Sequence, residues 1–416
     1  MDQFIVSMIN LYIFNESSRA SIYGIGTYIR ELIETMKDSD INICVVHLCS
    51  NKTCMEFEES NGIRRWYIPS PIIELSFDLF WQYKLYYRNV AYLLQLYIKD
   101  TNRIVFHLNY VHNYPLSDEL KRVFDCKIIS VTHYFDGNLG NPLQLRAMLK
   151  DEEPDNFSEE LKITIERGKA YFSSLDRIVC MSNYMYKIMQ RYYQLDFDTV
   201  KNIPNGIFDK YDITANKKLL RKKWNVPFRE KMVLFAGRVD EVKGVFFLIK
   251  AFREILKKKP HCHLMIAGSS SNYDMYFQEA KDICTKITFT GLLEMNDLQE
   301  LYQIADVGVV PSLHEPFGYV AVEMMMHELP IVATATSGLN EVVDDTCGLK
   351  IPIIELPGRD EIDSTLLAQK VLFLLQHPAA ARKMGQNGRK RYLKEYSSEI
   401  FRKNMLQLYE SLWENC

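Results

Sequence analysis

The sequence predicts an α/β protein built from two doubly wound domains. Three observations carry that expectation. The chain has 416 residues, more than one hydrophobic core usually supports. Short apolar runs alternate with longer helical patterns, the rhythm of a parallel sheet flanked by helices. The rhythm also breaks once, in a polar stretch near residue 210, and then restarts.

In the first half the candidate strands are Phe4–Ile13, Ile41–Leu48, Ile104–Leu108, Ile128–Thr132 and Arg177–Met181. Helical spacing predicts helices over Thr27–Lys37, Asp78–Lys99, Ser158–Ser173 and Met185–Tyr193. A turn follows at Ile203-Pro204-Asn205-Gly206. The segment Asp209–Arg229, with Lys217, Lys218, Arg221, Lys222 and Lys223, reads as the link to the second domain. Beyond it, strands are expected at Met232–Ala236, His263–Ala267, Ile287–Thr290, Val307–Val310 and Ile331–Thr334. Helices are expected at Val245–Lys258, Asn296–Ile304, Gly318–His327 and Ser364–Gln376. The expected division is 1–207, 208–391, and a terminal helix over 392–416 that crosses back to the first domain. Two such sheets bind ligands at the carboxyl ends of their strands, so a cleft between facing domains is the expected site.

Composition narrows the function classes. Net charge is −3 and the pI is near 6.3, which disfavours nucleic acid as the main partner. The nine cysteines are scattered, without the close-spaced pairs of a zinc site. Cys44 and Cys180 sit inside apolar runs, as buried thiols do. The N-terminal apolar run lacks a preceding basic region, so it reads as a strand and not as a signal peptide. No stretch has the uncharged length of a membrane helix. The expected setting is the cytoplasm, with peripheral contact at the inner face of a membrane left open.

The strongest chemical signal is Ser312-Leu-His-Glu-Pro-Phe-Gly-Tyr-Val-Ala-Val-Glu323. An apolar strand ends at Pro311, and a helix starts near Gly318. Phe317, Gly318 and Tyr319 thus offer backbone N–H groups at a helix N-terminus, which attracts anions. Glu315 and Glu323 repel phosphate but accept hydrogen bonds from hydroxyls at fixed distances along a ligand. A solvated loop glutamate and a helix-face glutamate are the bland alternative. Apolar neighbours of Glu323 argue against it, because a carboxylate among them needs a partner.

The second signal is Gly237-Arg238-Val-Asp-Glu-Val-Lys243-Gly244, between a strand and a helix. Two cations there suit a diphosphate, although Asp240 and Glu241 between them equally suit a solvated loop. Weaker signals are Gly24-Ile-Gly26 before a helix, and His133 at the end of Ile128–Thr132. The cluster His107, Asn109, His112 and Asn113 follows another strand, where acceptor contact and loop capping are equal readings. Asp78–Lys99 carries Phe80, Trp81, Tyr83, Tyr86, Tyr87, Tyr92 and Tyr97 with Lys84 and Arg88. Aromatics at helical spacing are usually core; an acceptor or membrane-surface platform is the minority reading.

Gly-Arg-x4-Lys-Gly, followed by Glu-x7-Glu within Glu-Pro-Phe-Gly, resembles the family-4 GT-B glycosyltransferases (glycosyl transferases group 1). Asn205-Gly206, Ala267-Gly268 and Phe289-Thr-Gly291 also match family positions. The resemblance implies a metal-independent, retaining transferase that moves a hexosyl unit from a nucleotide-diphosphate sugar to an acceptor hydroxyl. It implies that Arg238 and Lys243 bind the donor diphosphate and Glu323 the ribose. Glu315 would hold the donor sugar's hydroxyls, and Phe317, Gly318 and Tyr319 would present backbone amides, with Gly237 and Asn205 nearby. Gly24 and Gly26 would flank the donor phosphates, His133 would contact the donor sugar, and the acceptor would meet His107, Asn109, His112 and Tyr134. Many members carry Asp where this chain has Tyr134, and a Gly-Gly pair where it has Ser337-Gly338, before Glu341. No cofactor is implied beyond the nucleotide-sugar substrate, with UDP and GDP as candidate carriers. Saccharide, lipid-linked and peptide acceptors all remain open. Rival readings are a non-catalytic GT-B partner subunit, a sugar-nucleotide epimerase and a glycosidase; the last would leave the Arg-Lys loop without a purpose.

Overall fold

The structure, a computed structural model, describes residues 8–16, 24–74, 76, 78–110, 114–133 and 159–414. It divides into two compact units. Unit 1 comprises Met1–Gly206 and Ser398–Cys416, and unit 2 comprises Ile207–Ser397.

Unit 1 opens with β1 (Ile9–Glu16), the helix Gly24–Met36 and β2 (Ile41–Ser50). A hairpin of β3 (Glu56–Ser60) and β4 (Ile63–Pro69) comes next, followed by the helix Leu79–Tyr97. Then come β5 (Ile104–Leu108), the helix Tyr114–Val123, β6 (Cys126–Thr132), the helix Glu159–Ser173, β7 (Arg177–Cys180), the helix Asn183–Tyr193 and β8 (Val200–Asn202). The sheet order is β3-β4-β2-β1-β5-β6-β7-β8. Every pair is parallel except β3 with β4. Alternate residues of the strands face opposite sides, as the two-residue period requires. One side buries Tyr12, Phe14, Val46, Trp66 and Phe106 against Tyr87, Val90, Ala91 and Leu94 of the helix Leu79–Tyr97.

Unit 2 begins with the short helix Lys217–Lys223, capped by the Asn216 side chain. It continues through β9 (Lys231–Ala236), the helix Val245–Lys258, β10 (Cys262–Ala267), the helix Tyr273–Ala280 and β11 (Ile287–Gly291). Next come the helix Met295–Ile304, β12 (Val307–Val310), the helix Tyr319–Met326 and β13 (Ile331–Thr334). After the turn Leu339–Val342 follow β14 (Gly348–Ile351), a ribbon of β15 (Ile353–Leu356) and β16 (Arg359–Ile362), and the helices Ser364–Gln376 and Pro378–Arg391. The main sheet is parallel, in the order β11-β10-β9-β12-β13-β14. Its direction of winding reverses between β9 and β12, the position at which doubly wound sheets open a ligand crevice.

Four sequence expectations change. Residues 4–7 of the expected first strand lie outside the described residues, and β1 runs on to Glu16. Gly24 and Gly26 belong to the first turn of their helix instead of a preceding loop; glycine is costly in the middle of a helix, and these two stand at its end. Ile207 belongs to unit 2, where it pairs with Ser397. The last helix does not run from Tyr392. A wide π turn covers Tyr392–Tyr396, Ser397 is extended, and the final helix is Ser398–Glu410. The first part stays in unit 2, where Tyr392 donates a hydrogen bond to the Ile207 carbonyl at 2.9 Å. Only Ser398 onward joins unit 1, burying Phe401, Met405, Leu408 and Tyr409. No helix among the described residues is long and apolar enough to cross a membrane.

Candidate active site

The carboxyl ends of β9 and β12 are neighbours in unit 2, because Val307 and Gly308 pair with Val233 and Leu234. Each strand runs into a loop bearing charged side chains. Backbone contacts fasten the two loops: Leu313 N–H donates to the Val242 carbonyl at 2.7 Å. Gly244 adopts φ +69°, and a Cβ there would lie 1.8 Å from the Pro311 carbonyl oxygen. Only glycine lets the backbones approach so closely.

That approach brings Lys243 and Glu315 together. Lys243 Nζ lies 2.5 Å from Glu315 Oε2, and both side chains are less than one-fifth exposed. Asp240, which the sequence offered as a reason for a solvated charged loop, organises the segment. Its Oδ1 accepts the Lys243 N–H at 2.9 Å, and its Oδ2 lies 3.2 Å from Arg238 Nη1. Arg238 remains substantially exposed. Gly237, at φ +132°, ends β9 just before it.

The helix Tyr319–Met326 starts beside this pair. Gly318, at φ +108°, is its N-cap residue, and a Cβ there would press on Leu339 Cδ1 at 3.0 Å. The Leu339 N–H in turn donates to the Glu315 carbonyl at 3.1 Å. Phe317 turns its ring inward, against Tyr319 and Tyr396, so its contribution to a ligand is its backbone. The opening N–H groups of the helix have no helical partner, a feature that suits an anion.

Glu323 lies on the buried side of the same helix, among Ala321, Val322, Met324 and Met325. Its Oε2 accepts a 2.6 Å hydrogen bond from the Tyr302 hydroxyl, on the helix Met295–Ile304. Burial and then the Glu323 charge push the Tyr302 hydroxyl well above its usual range, so it stays a donor. Tyr302 escaped the sequence reading because its partner lies 21 positions away; the available signal was a buried carboxylate that needed a donor. Ser337 occupies φ +44°, the left-handed region that favours glycine. Its hydroxyl lies 2.8 Å from His314 Nδ1, a side-chain contact that glycine lacks. Glu341 sits in the turn Leu339–Val342, with its carbonyl accepting from Arg391 Nη2 at 2.9 Å. Among the described residues, no group of three or more His, Cys, Asp or Glu side chains is placed to hold a metal ion.

The remaining predicted residues belong to unit 1. His107 is fully buried, 3.2 Å from the Tyr28 hydroxyl and 2.9 Å from the Tyr409 hydroxyl. Burial pushes its imidazole down to about 3, so it is a neutral core bridge with both nitrogens engaged, not an acceptor contact. Asn109 is also buried: its Nδ2 donates to the Phe14 carbonyl at 3.0 Å, and its Oδ1 lies 3.1 Å from His133 Nε2. That arrangement suits a neutral His133, which burial and then His107 push down to about 3. Asn205 is buried too, with its Nδ2 3.6 Å from Met181 Sδ. Gly24 is exposed and Gly26 partly so. His112, Asn113 and Tyr134 lie outside the described residues. The eight described cysteines are free.

Comparisons with known proteins bear on the family and the fold. The family model described as Glycosyltransferase Family 4 matches residues 22–210, and that described as Glycosyl transferases group 1 matches residues 216–391. An uncharacterized glycosyltransferase of Methanocaldococcus jannaschii is 38% identical over 156 residues, covering 35% of this chain and 39% of its own. The alpha-D-kanosaminyltransferase of Streptomyces kanamyceticus is 27% identical over 205 residues, 48% of this chain and 51% of its own. The matched region thus spans about half or less of either relative. Among solved structures, the sucrose-phosphate synthase of Thermosynechococcus elongatus superposes with a TM-score of 0.76 at 22% identity, covering 98% of this chain and 100% of that one. With adjoining family models matched across both units and the fold matched along nearly its whole length, the chain belongs to the family-4 glycosyltransferases of the two-domain GT-B type.

Proposed function

We propose that the protein is a retaining transferase that moves a hexosyl unit from a nucleotide-diphosphate sugar to an acceptor hydroxyl, without a bound metal. The observation that carries this reading is the Lys243–Glu315 pair, set beside Arg238 and a helix N-terminus at the winding reversal of unit 2. A cation and a carboxylate in contact match the two adjoining parts of a sugar diphosphate. Lys243 exchanges Glu315 for the diphosphate, and Glu315 turns to the sugar hydroxyls. Arg238 adds a planar donor fork, and the amides of Phe317, Gly318 and Tyr319 complete the anion site. Glu323, held by Tyr302, accepts from the ribose hydroxyls.

In the transfer step the anomeric C–O bond breaks, and its electron pair leaves on the diphosphate. The acceptor oxygen bonds to the same face of the anomeric carbon, and its proton passes to the departing phosphate oxygen. Charge grows on the diphosphate in the transition state, so Lys243 and Arg238 act on the rate as well as on affinity. Unit 1 is assigned the acceptor.

The experiment is a thermal-shift screen of nucleoside diphosphates and their sugars, which exploits ligand stabilisation of the native state. Transfer to simple acceptors is then followed by NMR of the product anomer. A UDP or GDP sugar is expected to stabilise the protein, and activity is expected to survive EDTA. Loss of transfer in EDTA with rescue by manganese overturns the metal-free step, and an inverted anomer overturns retention. Epimerised free donor without acceptor makes the protein an epimerase, and the absence of any nucleotide effect makes it a non-catalytic subunit.

A further inference from the structure

The helix Leu79–Tyr97 divides its aromatics between two faces. Tyr87, Val90, Ala91 and Leu94 enter the core of unit 1. Trp81, Leu85, Arg88, Tyr92 and Leu96 follow one another at steps of four, three, four and four residues, which places them along one line of the helix. That line faces outward: Trp81 is 62% exposed, Leu85 59% and Leu96 65%. Ile72, on the segment leading into the helix, is 98% exposed. A contiguous apolar stripe of this kind marks an interaction surface.

The charge pattern selects the partner. Over its nineteen residues the helix carries Lys84 and Arg88 and no carboxylate. The neighbouring Asp78 is engaged as the N-cap, accepting from the Trp81 N–H at 3.1 Å. Lys84 Nζ lies 4.9 Å from the Trp81 ring centroid, and the Arg88 guanidinium 5.9 Å from that of Tyr92. Each cation therefore sits with an amphipathic ring, the pairing found where side chains straddle apolar and charged layers. Protein–protein interfaces are depleted of lysine, yet Lys84 sits against Trp81 on this helix. A layer of anionic headgroups over acyl chains accommodates both parts.

We propose that this helix face seats unit 1 on an anionic lipid bilayer. The net charge of −3 gives no attraction from the molecule as a whole, so binding depends on this one helix. The proposal stands apart from the transferase reading, and its test measures binding and not activity.

The full chain is sedimented with vesicles of phosphatidylcholine alone, and with vesicles containing about one-third phosphatidylglycerol. Retention on the anionic vesicles is expected, falling as salt is raised. A juxtamembrane cation typically contributes on the order of a five-fold gain in binding, so Lys84→Glu with Arg88→Glu is expected to lower binding at least about 25-fold. Leu85→Gln with Leu96→Gln is expected to weaken it as well. In the unaltered protein, brominated lipid is expected to quench tryptophan fluorescence, a readout that needs no variant to fold; Trp81→Phe is expected to remove most of that quenching. No retention on either vesicle, or retention unchanged in both double variants, overturns the proposal. So does a dimer by light scattering that Leu85→Gln with Leu96→Gln dissociates, which makes the stripe an interface between copies of the chain.

Discussion

Replacing Tyr302 with Phe deletes one buried hydroxyl and keeps the ring. In the structure that hydroxyl donates a 2.6 Å bond to Glu323 Oε2, and Glu323 is only 7% exposed. Hydrogen bonds to charged groups contribute about 1.5–3 kcal/mol, and a buried carboxylate that loses a donor incurs a desolvation cost of similar size. For a domain the size of unit 2, each kcal/mol moves the melting midpoint by roughly 2–4 °C, so a fall of about 3–12 °C is expected. Freed from Tyr302, the carboxylate no longer points in one direction. Affinity for a nucleoside diphosphate is then expected to fall about ten-fold or more, with every 1.4 kcal/mol a factor of about ten. Calorimetric titration measures the affinity, and circular dichroism checks the fold. If sugar transfer is assayed, KM for donor is expected to rise with kcat little changed, because the ribose is remote from the breaking bond. A folded variant whose nucleotide affinity stays within about two-fold of the wild type refutes the reasoning that Tyr302 aims Glu323 at a ligand.

Gly244→Ala puts a methyl group 1.8 Å from a backbone oxygen at a left-handed position; a loss of at least about 2 kcal/mol in unfolding free energy is expected, from strain and broken loop contacts. Lys243→Ala is expected to lower kcat at saturating donor by on the order of 10²–10³; a change in KM alone assigns the lysine to docking. Stability is expected to fall with acidification from about pH 6.5, where histidines of the unfolded chain begin to bind protons. His107 and His133 stay neutral in the folded chain down to about 3. Their contribution is complete above the unfolded value and is lost between it and the folded value, at up to about 1.4 kcal/mol per pH unit for each. His107→Gln is expected to flatten the pH dependence of the denaturant midpoint; an unchanged slope assigns the acid sensitivity to other groups.

Much of this fold is legible in the sequence because its central strands are continuous apolar runs, buried on both faces. Val307–Val310 and Ile331–Thr334 have the expected bounds. Polar or short edge elements are harder. The sequence expectations contain no strand at Glu56–Ser60, whose pairing with Ile63–Pro69 is signalled only by the Asn61-Gly62 turn, where both residues take positive φ. Pro357-Gly358 likewise marks the β15–β16 ribbon. The charges of the candidate site were legible because they follow strands directly. Local sequence does not reveal long-range pairings such as Lys243 with Glu315, or Glu323 with Tyr302. His107 shows the converse: a polar residue after apolar ones suggested a ligand, but the tyrosines that claim it arrive from Tyr28 and, far along the chain, Tyr409.

The excursion of the chain through unit 2 also bears on biosynthesis. Unit 2 is one uninterrupted stretch, whereas unit 1 is written in two pieces on either side of it. A ribosome delivers every residue of unit 2 before the helix that closes unit 1. Until Ser398–Glu410 emerges, the nascent first half lacks the cover of Phe401, Met405 and Tyr409 over the helix Gly24–Met36 and His107. The inserted unit is therefore the first able to complete its core, and the domain begun first is finished last.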